Sequence, residues 1–515
     1  MKETSMRDNM NKRAIIDIGS NTIRLVIYQR NEFGIVKETE NIKTVVRLRH
    51  YLNENRILEK EGIQRLVDIL KGFKGILTFH NVDIVKCVAT ATVRQAINQE
   101  DILAIVKTET GFNLTILSEK EEAYFGYFAV IHTTPIDEGV TIDIGGGSTE
   151  ITYFKNRKLI HYHSFPFGVV SLKEHYLSGE LILGEEKQKL VDAIKNALHS
   201  LSWLKGLKVP IVAIGGSARN VAQIDQNRKD YPVAGIHQYT MKPADITEIL
   251  RIVEQSTISQ LEKLEGLSSD RADIIYPALM VFVLLCDYVQ SERFMLSRKG
   301  LRDGVLLKEY EKRGESTNTT EIIQRSIHEL IYDYQINREH AEHVKDLAMQ
   351  IYQQIVRIYE LHEDNANILK LSATVYYLGK YVDSDVSSQH TFYLLANKPI
   401  EGLEHKDRLK LALIASFKNN GLLKQYSRPF AGVFNREELY EIRMAGAITK
   451  LAAALDASKR GIIKKVLVTK EPIGNMVMTL HCKGDVFVEK YQAQKHIRQL
   501  EKTIKQEINL KFITK

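Results

Sequence analysis

The chain has 515 residues, 44% of them hydrophobic, and its 71 lysines and arginines against 64 acidic residues give a net charge of +7. This length predicts three or four domains, and the absence of any apolar run of about 18 residues argues against a transmembrane helix. Three widely spaced cysteines and a polar segment 1–13 argue against a disulfide framework and a signal peptide, so we expect a cytoplasmic protein without a membrane partner.

The first pattern in chain order is an apolar strand that ends in a short polar turn. Residues 16–24 read Ile-Asp-Ile-Gly-Ser-Asn-Thr-Ile-Arg, and a second strand is predicted over 23–28. The sheet is predicted to continue over 44–48. Residues 118–122 then open a helix, with Ser118 as N-cap and Glu121 at the capping-box position. The elements predicted between these segments are a helix over 57–79, a strand over 82–89, a helix over 101–108 and a strand over 113–117.

The most informative stretch is 140–151, which reads Val-Thr-Ile-Asp-Ile-Gly-Gly-Gly-Ser-Thr-Glu-Ile. Glycines let backbone N–H groups approach an anion closely, and Ser148 and Thr149 add hydroxyl donors. Asp143 and Glu150 flank the turn, where carboxylates can hold Mg²⁺ or orient a water molecule. A dinucleotide fingerprint is disfavoured because the glycine spacing differs and a strand follows. A plain hairpin turn would need only one or two glycines.

The two motifs are copies of each other. Asp17 aligns with Asp143 and Thr22 with Ser148, about one domain length apart. Such a repeat indicates two similar domains that share a cleft, and it resembles the actin/Hsp70/sugar-kinase superfamily. The residues predicted to bind phosphate in the two turns are Ser20, Asn21, Thr22, Gly145, Gly146, Gly147 and Ser148.

The remaining pattern is α/β up to a polar linker and then mostly helical. A strand over 209–214 ends in Gly-Gly-Ser-Ala-Arg-Asn (215–220), either a strand-to-helix turn or a phosphate loop. The segment 164–169 is predicted to be a loop. Further predictions are helices over 187–204 and 273–289, a strand over 294–297, a helix from 300, a linker over 312–320, helices over 321–460, strands over 462–468, 475–482 and 486–490, and a helix over 492–507.

Six segments in order resemble the exopolyphosphatase/guanosine pentaphosphatase family. They are 17–25, 90–98, 118–123, 142–151, 266–277 and 301–305. The resemblance implies Mg²⁺-dependent release of the terminal phosphate from inorganic polyphosphate or guanosine pentaphosphate. It also implies an α/β fold with two actin-like domains, a helical domain similar to the HD hydrolases and a small α/β domain. The predicted bounds are 1–131, 132–311, 321–460 and 461–515.

The resemblance also implies roles for individual residues. Glu122 corresponds to the catalytic base, Asp143 to a metal ligand, and Glu150 to a second acid near the water and the metal. Arg94 corresponds to an arginine facing the terminal phosphate, and Arg271 to another arginine near the cleft. Without the resemblance, Glu122 could be an ordinary acid in the first turn of a helix, where it interacts favourably with the helix dipole. Arg94 could be a surface cation, and Arg271 could cap a helix.

The helical domain departs from the HD pattern. HD hydrolases bind metal through a histidine and a His-Asp pair, but the corresponding segment 371–379 contains no such pair. His340 and His343 share a helix face and His390 follows, yet no second metal site is expected without the aspartate. We expect this domain to serve binding and dimerisation, and therefore a homodimer.

Basic residues recur near the end of the helical domain. They form either a solvated helix face or an electropositive channel that guides a long polyphosphate. The leading hypothesis is an exopolyphosphatase that binds no nucleic acid. The alternatives are a guanosine pentaphosphate phosphohydrolase, a nucleotide-binding kinase or ATPase of the actin superfamily, and a non-catalytic polyanion-binding regulator. The basic residues are Lys418, Lys424, Arg428, Lys450, Lys459, Arg460, Lys464 and Lys465.

Overall fold

The computed structural model describes residues 12–32, 34–179, 184–310, 318–359, 365–470 and 476–514. The chain divides into two compact units, one with residues 1–231 and 236–319 and the other with 232–235 and 320–515. The predictions for residues 1–11 and for most of the 312–320 linker lie outside the described residues. None of the described helices combines the length and apolar character needed to cross a membrane.

The first sheet of the first unit is built around a buried, β-branched hairpin. Its order is β3-β2-β1-β4-β5, with β1 antiparallel to β2 and parallel to β4. Isoleucines and valines dominate the two central strands because such side chains suit a pleated surface that is buried on both faces. The strands are β1 (Lys12–Ile18), β2 (Thr22–Arg30), β3 (Val36–Val45), β4 (Ile84–Ala89) and β5 (Leu114–Ile116); the helices are α1 (Lys60–Phe79), α2 (Ala91–Gln95) and α3 (Gln99–Thr110).

The second sheet repeats the first. Its order is β10-β11-β9-β6-β7-β8, so the series β8-β7-β6-β9-β11 matches β3-β2-β1-β4-β5 in both order and strand direction. This confirms the two similar domains inferred from the sequence repeat. The strands are β6 (Gly139–Ile144), β7 (Thr149–Lys155), β8 (Lys158–Phe165), β9 (Ile211–Ile214), β10 (Thr240–Met241) and β11 (Phe294–Leu296).

The helices around the second sheet bury its apolar faces. The first of them begins with the predicted capping box, in which Ser118 and Glu121 bond each other's backbone N–H groups. The apolar helix over Ile275–Val289 is buried on most of its surface, as expected for a helix without a polar face. The helices are α4 (Glu119–Thr133), α5 (Val169–Tyr176), α6 (Gly184–His199), α7 (Gly215–Arg228), α8 (Pro243–Glu254), α9 (Ile258–Leu261) and α10 (Ile275–Val289). The helix that follows, α11 (Leu301–Tyr310), packs on α4 and on the first sheet instead.

The second unit is a helical bundle followed by a three-stranded sheet in the order β12-β13-β14. Its helices are α12 (Thr319–Asp333), α13 (Arg338–Tyr359), α14 (Ala366–Thr374), α15 (Ser387–Asn397), α16 (His405–Ala415), α17 (Asn420–Ser427), α18 (Arg436–Ala454), α19 (Phe487–His496) and α20 (Arg498–Ile504). Its strands are β12 (Ile463–Lys470), β13 (Met476–Cys482) and β14 (Ile508–Thr514).

Several predicted elements were wrong. The segment 486–490 is not a strand, since α19 begins at Phe487 and buries Glu489, which accepts hydrogen bonds from Ser458. The helix predicted over 492–507 ends early, and β14, which pairs in parallel with β13, was missed. The strand predicted over 44–48 ends at Val45, because Arg47 adopts a left-handed conformation with φ of 49°. The strand β8 was also missed.

Candidate active site

A cavity in the first unit lies between the two glycine turns. Residues from both sheets line it, as do the N-termini of α7 and α11. Two predicted residues, Arg94 and Gly147, are not on its wall. The predicted residues that line the cavity are Ser20, Asn21, Thr22, Glu122, Asp143, Gly145, Gly146, Ser148, Glu150 and Arg271.

The two turns close in the same way. The Gly19 N–H donates to the Thr22 carbonyl at 3.0 Å, and the Gly145 N–H donates to the Ser148 carbonyl at 2.9 Å. Protein groups occupy the carbonyls of the second turn, because three N–H groups at the start of α5 donate hydrogen bonds to the carbonyls of Gly145 and Gly146. Among the described residues, the amides at the centre of each turn (residues 20–21 and 146–147) have no protein acceptor. Such successive N–H groups form a site for an anion.

Asn21 gives independent support for a ligand in this cavity. The residue is 7% exposed, yet neither the oxygen nor the nitrogen of its side-chain amide has a hydrogen-bond partner among the described residues. Buried polar atoms in native proteins are nearly always satisfied. A bound phosphate oxygen and a water molecule would supply the missing partners.

The second turn carries two carboxylates on one face of its hairpin. Asp143 and Glu150 are directly opposite in the register of β6 and β7, so their side chains project to the same side. Burial and Glu122 raise the pKa of Glu150 well above its usual range, although hydrogen bonds from Ser148 and Ser164 oppose this. Burial and nearby Asp17 raise the pKa of Asp143 to about 6. These crowded acids favour a cation.

Glu122 and Glu121 have different surroundings. Glu121 is exposed and caps α4 through Ser118, whereas Glu122 lines the cavity and its side chain is 13% exposed. Arg94 donates to the Glu122 carboxylate at 2.6 Å and to the Leu117 carbonyl at 3.0 Å. Burial raises the pKa of Glu122 to about 7, against the opposing effect of Arg94. The structure therefore places Arg94 against the acid, and a contact with phosphate stays a prediction.

Four arginines on the cavity wall were not predicted. Arg302 forms an ion pair with Asp17 at 2.8 Å, while Arg219 has no carboxylate partner among the described residues. Burial and the charges of Arg298 and Arg302 lower the pKa of Arg219. Three of the four lie in segments quoted above: Arg24 in the first copy of the repeat, Arg219 in the 215–220 loop and Arg302 in the last family segment. Arg298 had no sequence signal.

The loop 215–220 is both a strand-to-helix turn and part of the cavity wall. Gly215 has φ of +93°, a conformation that favours glycine. A Cβ atom on Gly215 would lie 2.7 Å from Asp143 Oδ1, and one on Gly216 would lie 2.2 Å from Arg271 Nη2. The two glycines thus allow the acid and the arginine to approach the loop backbone.

Gly216→Ala should impair substrate binding more than folding. The clash falls on the end of a flexible side chain, so Arg271 would move. The predicted charge-assisted contact of Arg271 with substrate would then be lost, which is worth roughly a ten- to hundred-fold rise in KM. Steady-state kinetics and thermal unfolding would measure the two effects. Gly72→Ala is the matched control, because nothing lies within 4 Å of a Cβ there and α1 is long. An unchanged KM for Gly216→Ala would contradict this positioning role.

In the second unit, two of the predicted histidines lie beside an aspartate that sequence reasoning missed. His340 Nδ1 is 2.7 Å from Asp456 Oδ2, and His343 Nε2 is 4.0 Å from Asp456 Oδ1. His390 is on α15 and takes no part in this cluster. In the part of the chain that the structure describes, no group of three or more histidine, cysteine, aspartate or glutamate side chains, this cluster included, has an arrangement that could hold a metal ion.

The paired sheets, the two facing glycine turns and the cavity of carboxylates and arginines define an actin-like protein that binds phosphates. The model of the Ppx/GppA phosphatase family matches residues 26–313, and that of Ppx/GppA phosphatase domain III matches residues 322–501. The chain belongs to the Ppx/GppA phosphatase family, whose members hydrolyse phosphoanhydride bonds.

Three known proteins are similar to this chain. A Pseudoalteromonas atlantica protein named guanosine-5'-triphosphate,3'-diphosphate pyrophosphatase is 26% identical over 412 residues, 77% of each chain. The crystal structure of the Aquifex aeolicus Ppx/GppA family member is 27% identical, with a TM-score of 0.52, and the match covers 59% of this chain and 99% of that one. The crystal structure of an exopolyphosphatase from Cytophaga hutchinsonii shares the fold, with a TM-score of 0.54 and 20% sequence identity. That match covers 60% of this chain and 99% of the other.

Proposed function

We propose that the protein is an exopolyphosphatase that releases terminal orthophosphate from inorganic polyphosphate. The observation that carries the proposal is the composition of the cavity wall, which has five arginines and no aromatic side chain among the described residues. The cavity of about 170 Å³ is also smaller than the roughly 300–1,000 Å³ of pockets that enclose drug-sized ligands. These features suit a chain of phosphates better than a nucleoside.

The residues of the site suggest how hydrolysis proceeds. The free amides of the two turns and the arginines hold the terminal phosphates and stabilise the charge that develops in the transition state. Glu122 accepts a proton from the attacking water, and its pKa near neutrality suits a general base. Arg94 orients that carboxylate through its hydrogen bond. Glu150, held by Ser164, would position the water or a cation.

The carboxylates also fit the predicted Mg²⁺. Mg²⁺ sites typically combine one or two carboxylates with substrate phosphates and water, so the opposed pair Asp143 and Glu150 is sufficient as a protein contribution. Burial and the charge of Asp17 raise the pKa of Asp143, and burial and the charges of Glu122 and Asp143 raise that of Glu150, which gives a physical reason for a cation beside these carboxylates. When bound, Mg²⁺ would neutralise charge on the phosphate oxygens.

A second candidate function is hydrolysis of the 5′-terminal phosphate of guanosine pentaphosphate. It is favoured by the name of the Pseudoalteromonas relative, which is similar over 77% of this chain. A nucleoside triphosphate end presents the same terminal phosphoanhydride to the cavity. The guanosine would then have to be bound outside the cavity wall.

Phosphate release should separate the two candidates. We expect the full chain with Mg²⁺ to have a higher kcat/KM on long-chain polyphosphate than on guanosine pentaphosphate, with little release from ATP. Glu122→Gln protein, purified in the same way, corrects for contaminating phosphatases. A markedly higher kcat/KM on guanosine pentaphosphate would replace the first proposal with the second.

A further inference from the structure

The second unit contains a cavity of its own. Its volume is about 590 Å³, within the range of roughly 300–1,000 Å³ typical of small-molecule pockets. Residues of α13, α18 and α19 line it, together with the segment after α14. Of the eight basic residues singled out from the sequence, three line this pocket (Lys418, Lys450 and Lys459), and Lys380, which sequence reasoning passed over, joins them.

The pocket concentrates positive charge without acids to balance it. Its lining includes four lysines and two histidines but no aspartate or glutamate. Among the described residues none of the four lysines forms an ion pair, and Lys450 Nζ donates only to the Lys418 carbonyl, at 2.6 Å. Burial and the charges of Lys418 and Lys495 lower the pKa of Lys450 to about 8, and burial with Lys450 and Lys495 lowers that of His496 to about 4. An anion would relieve this repulsion.

The pocket wall also carries aromatic side chains, those of its tyrosines. Tyr376 and Tyr377 stack with centroids 4.2 Å apart, and Tyr381 meets Tyr334 edge-on at 5.7 Å. Lys380 Nζ lies 5.6 Å from the centre of the Tyr377 ring, so a cation and an aromatic face adjoin. Tyr377 has φ of 54°, an uncommon conformation for a residue with a side chain. Stacked rings beside lysines suit a flat base that carries phosphates.

The location adds a further reason. Tyr376 and Tyr377 belong to the segment 371–379, which contains no His-Asp pair. His340, a member of the pocket wall, is held by Asp456. The pocket wall presents lysine ammonium groups, which attract phosphates but supply no metal-bound water.

We propose that this pocket binds a nucleoside oligophosphate without hydrolysing it, with the lysines holding the phosphates and the tyrosines contacting the base. The site is separate from the cavity of the first unit, and the proposal stands whether or not polyphosphate is the substrate there. It gives the second unit a defined ligand class in place of a general affinity for polyanions.

Lysine protection tests the proposal on the full chain. The protein is incubated with GTP as the probe ligand, in buffer with EDTA at pH 8. An amine-reactive ester then acylates the accessible lysines, and mass spectrometry measures the rate of acylation at each one. At GTP concentrations about ten times the Kd, we expect acylation of Lys380 and Lys450 to slow by about ten-fold. The exposed Lys370 and Lys483 of the same unit should react at an unchanged rate. Because the readout is specific to each residue, binding of GTP in the first cavity does not affect the result.

Two variants test the chemistry of recognition. Lys380→Ala/Lys450→Ala should weaken GTP binding at this pocket by roughly a hundred-fold, about ten-fold for each lost charge-assisted contact; protection of Lys418 and Lys459 reports it. Tyr381→Ala, at a half-exposed ring, should weaken GTP binding but leave tripolyphosphate binding unchanged. Absence of protection by GTP would overturn the proposal. Equal affinity for GTP and tripolyphosphate, unaffected by Tyr381→Ala, would overturn the assignment of a nucleoside.

Discussion

Glu122→Gln should reduce phosphate release by roughly a hundred- to ten-thousand-fold, the usual contribution of general-base catalysis. The amide keeps the shape of the side chain and can still accept the hydrogen bond that Arg94 donates at 2.6 Å. It cannot accept a proton from water. The loss should therefore appear in kcat, whereas KM for polyphosphate should stay within a few-fold because the turns and arginines that hold the phosphates are untouched.

Glu121→Gln is the matched control for this substitution. Its carboxylate is exposed and caps α4, so its replacement should cost about 1 kcal/mol of stability at most and leave kcat nearly unchanged. Single-turnover kinetics and circular dichroism on both proteins would separate catalysis from folding. A folded Glu122→Gln protein with near-normal kcat would reject Glu122 as the base, and a large kcat loss in Glu121→Gln would show that the wrong neighbour was chosen.

The fold of the first unit was predictable because its signals are local and duplicated. Two apolar strands around a glycine turn occur twice, and the spacing between the copies predicted two similar domains before any pairing was known. Strand β8 carries a weaker signal, with polar residues such as His161 and His163 among its apolar ones. It forms because β7 offers an unpaired edge, which is a tertiary effect.

The errors near the C-terminus have the same physical origin. Val486, Phe487 and Val488 favour a strand by local propensity, but the helix α19 forms there and leaves Phe487 74% exposed. The buried contact of Glu489 with Ser458 helps to fix the helix, and a contact across 31 positions is not visible in a local pattern. Residues 508–512 do alternate between apolar and polar side chains, so β14 had a readable signal that was passed over.

The candidate site was predictable where residues belong to motifs and not where the fold alone assembles them. Asp143 and Glu150 were recognised from the turn that they flank. Arg298 follows β11 and reaches the cavity through the fold. Asp456 likewise meets His340 from a position 116 residues away. The spacing of residues in a sequence indicates the structure of one helix or strand at a time. The contacts of Arg298 and Asp456 depend on how separate helices and strands pack together.

Removal of divalent cations should abolish phosphate release, the other large effect that we expect. Asp143 and Glu150 face each other across the second hairpin. Burial and Asp17 raise the pKa of Asp143, and burial, Glu122 and Asp143 raise the pKa of Glu150. Such a pair needs a counter-charge when both groups are ionised, and substrate phosphates add further negative charge. EDTA should stop the reaction and added Mg²⁺ should restore it. Full activity in EDTA would contradict the proposed metal site.

Asp143→Asn tests the same site through two readouts. The concentration of Mg²⁺ for half-maximal activity should rise by about ten-fold or more, since even changes behind a metal ligand cost about that much. Stability should not fall. The pKa of the Asp143 carboxyl is higher in the folded protein than in the unfolded chain, so its ionisation above the unfolded pKa destabilises the folded state. The neutral amide removes this cost, and the Tm at pH 8 should therefore be equal or higher. Asp68→Asn, at an exposed position of α1, should change neither quantity. A lower Tm with unaltered Mg²⁺ dependence would show that Asp143 serves folding and not the metal.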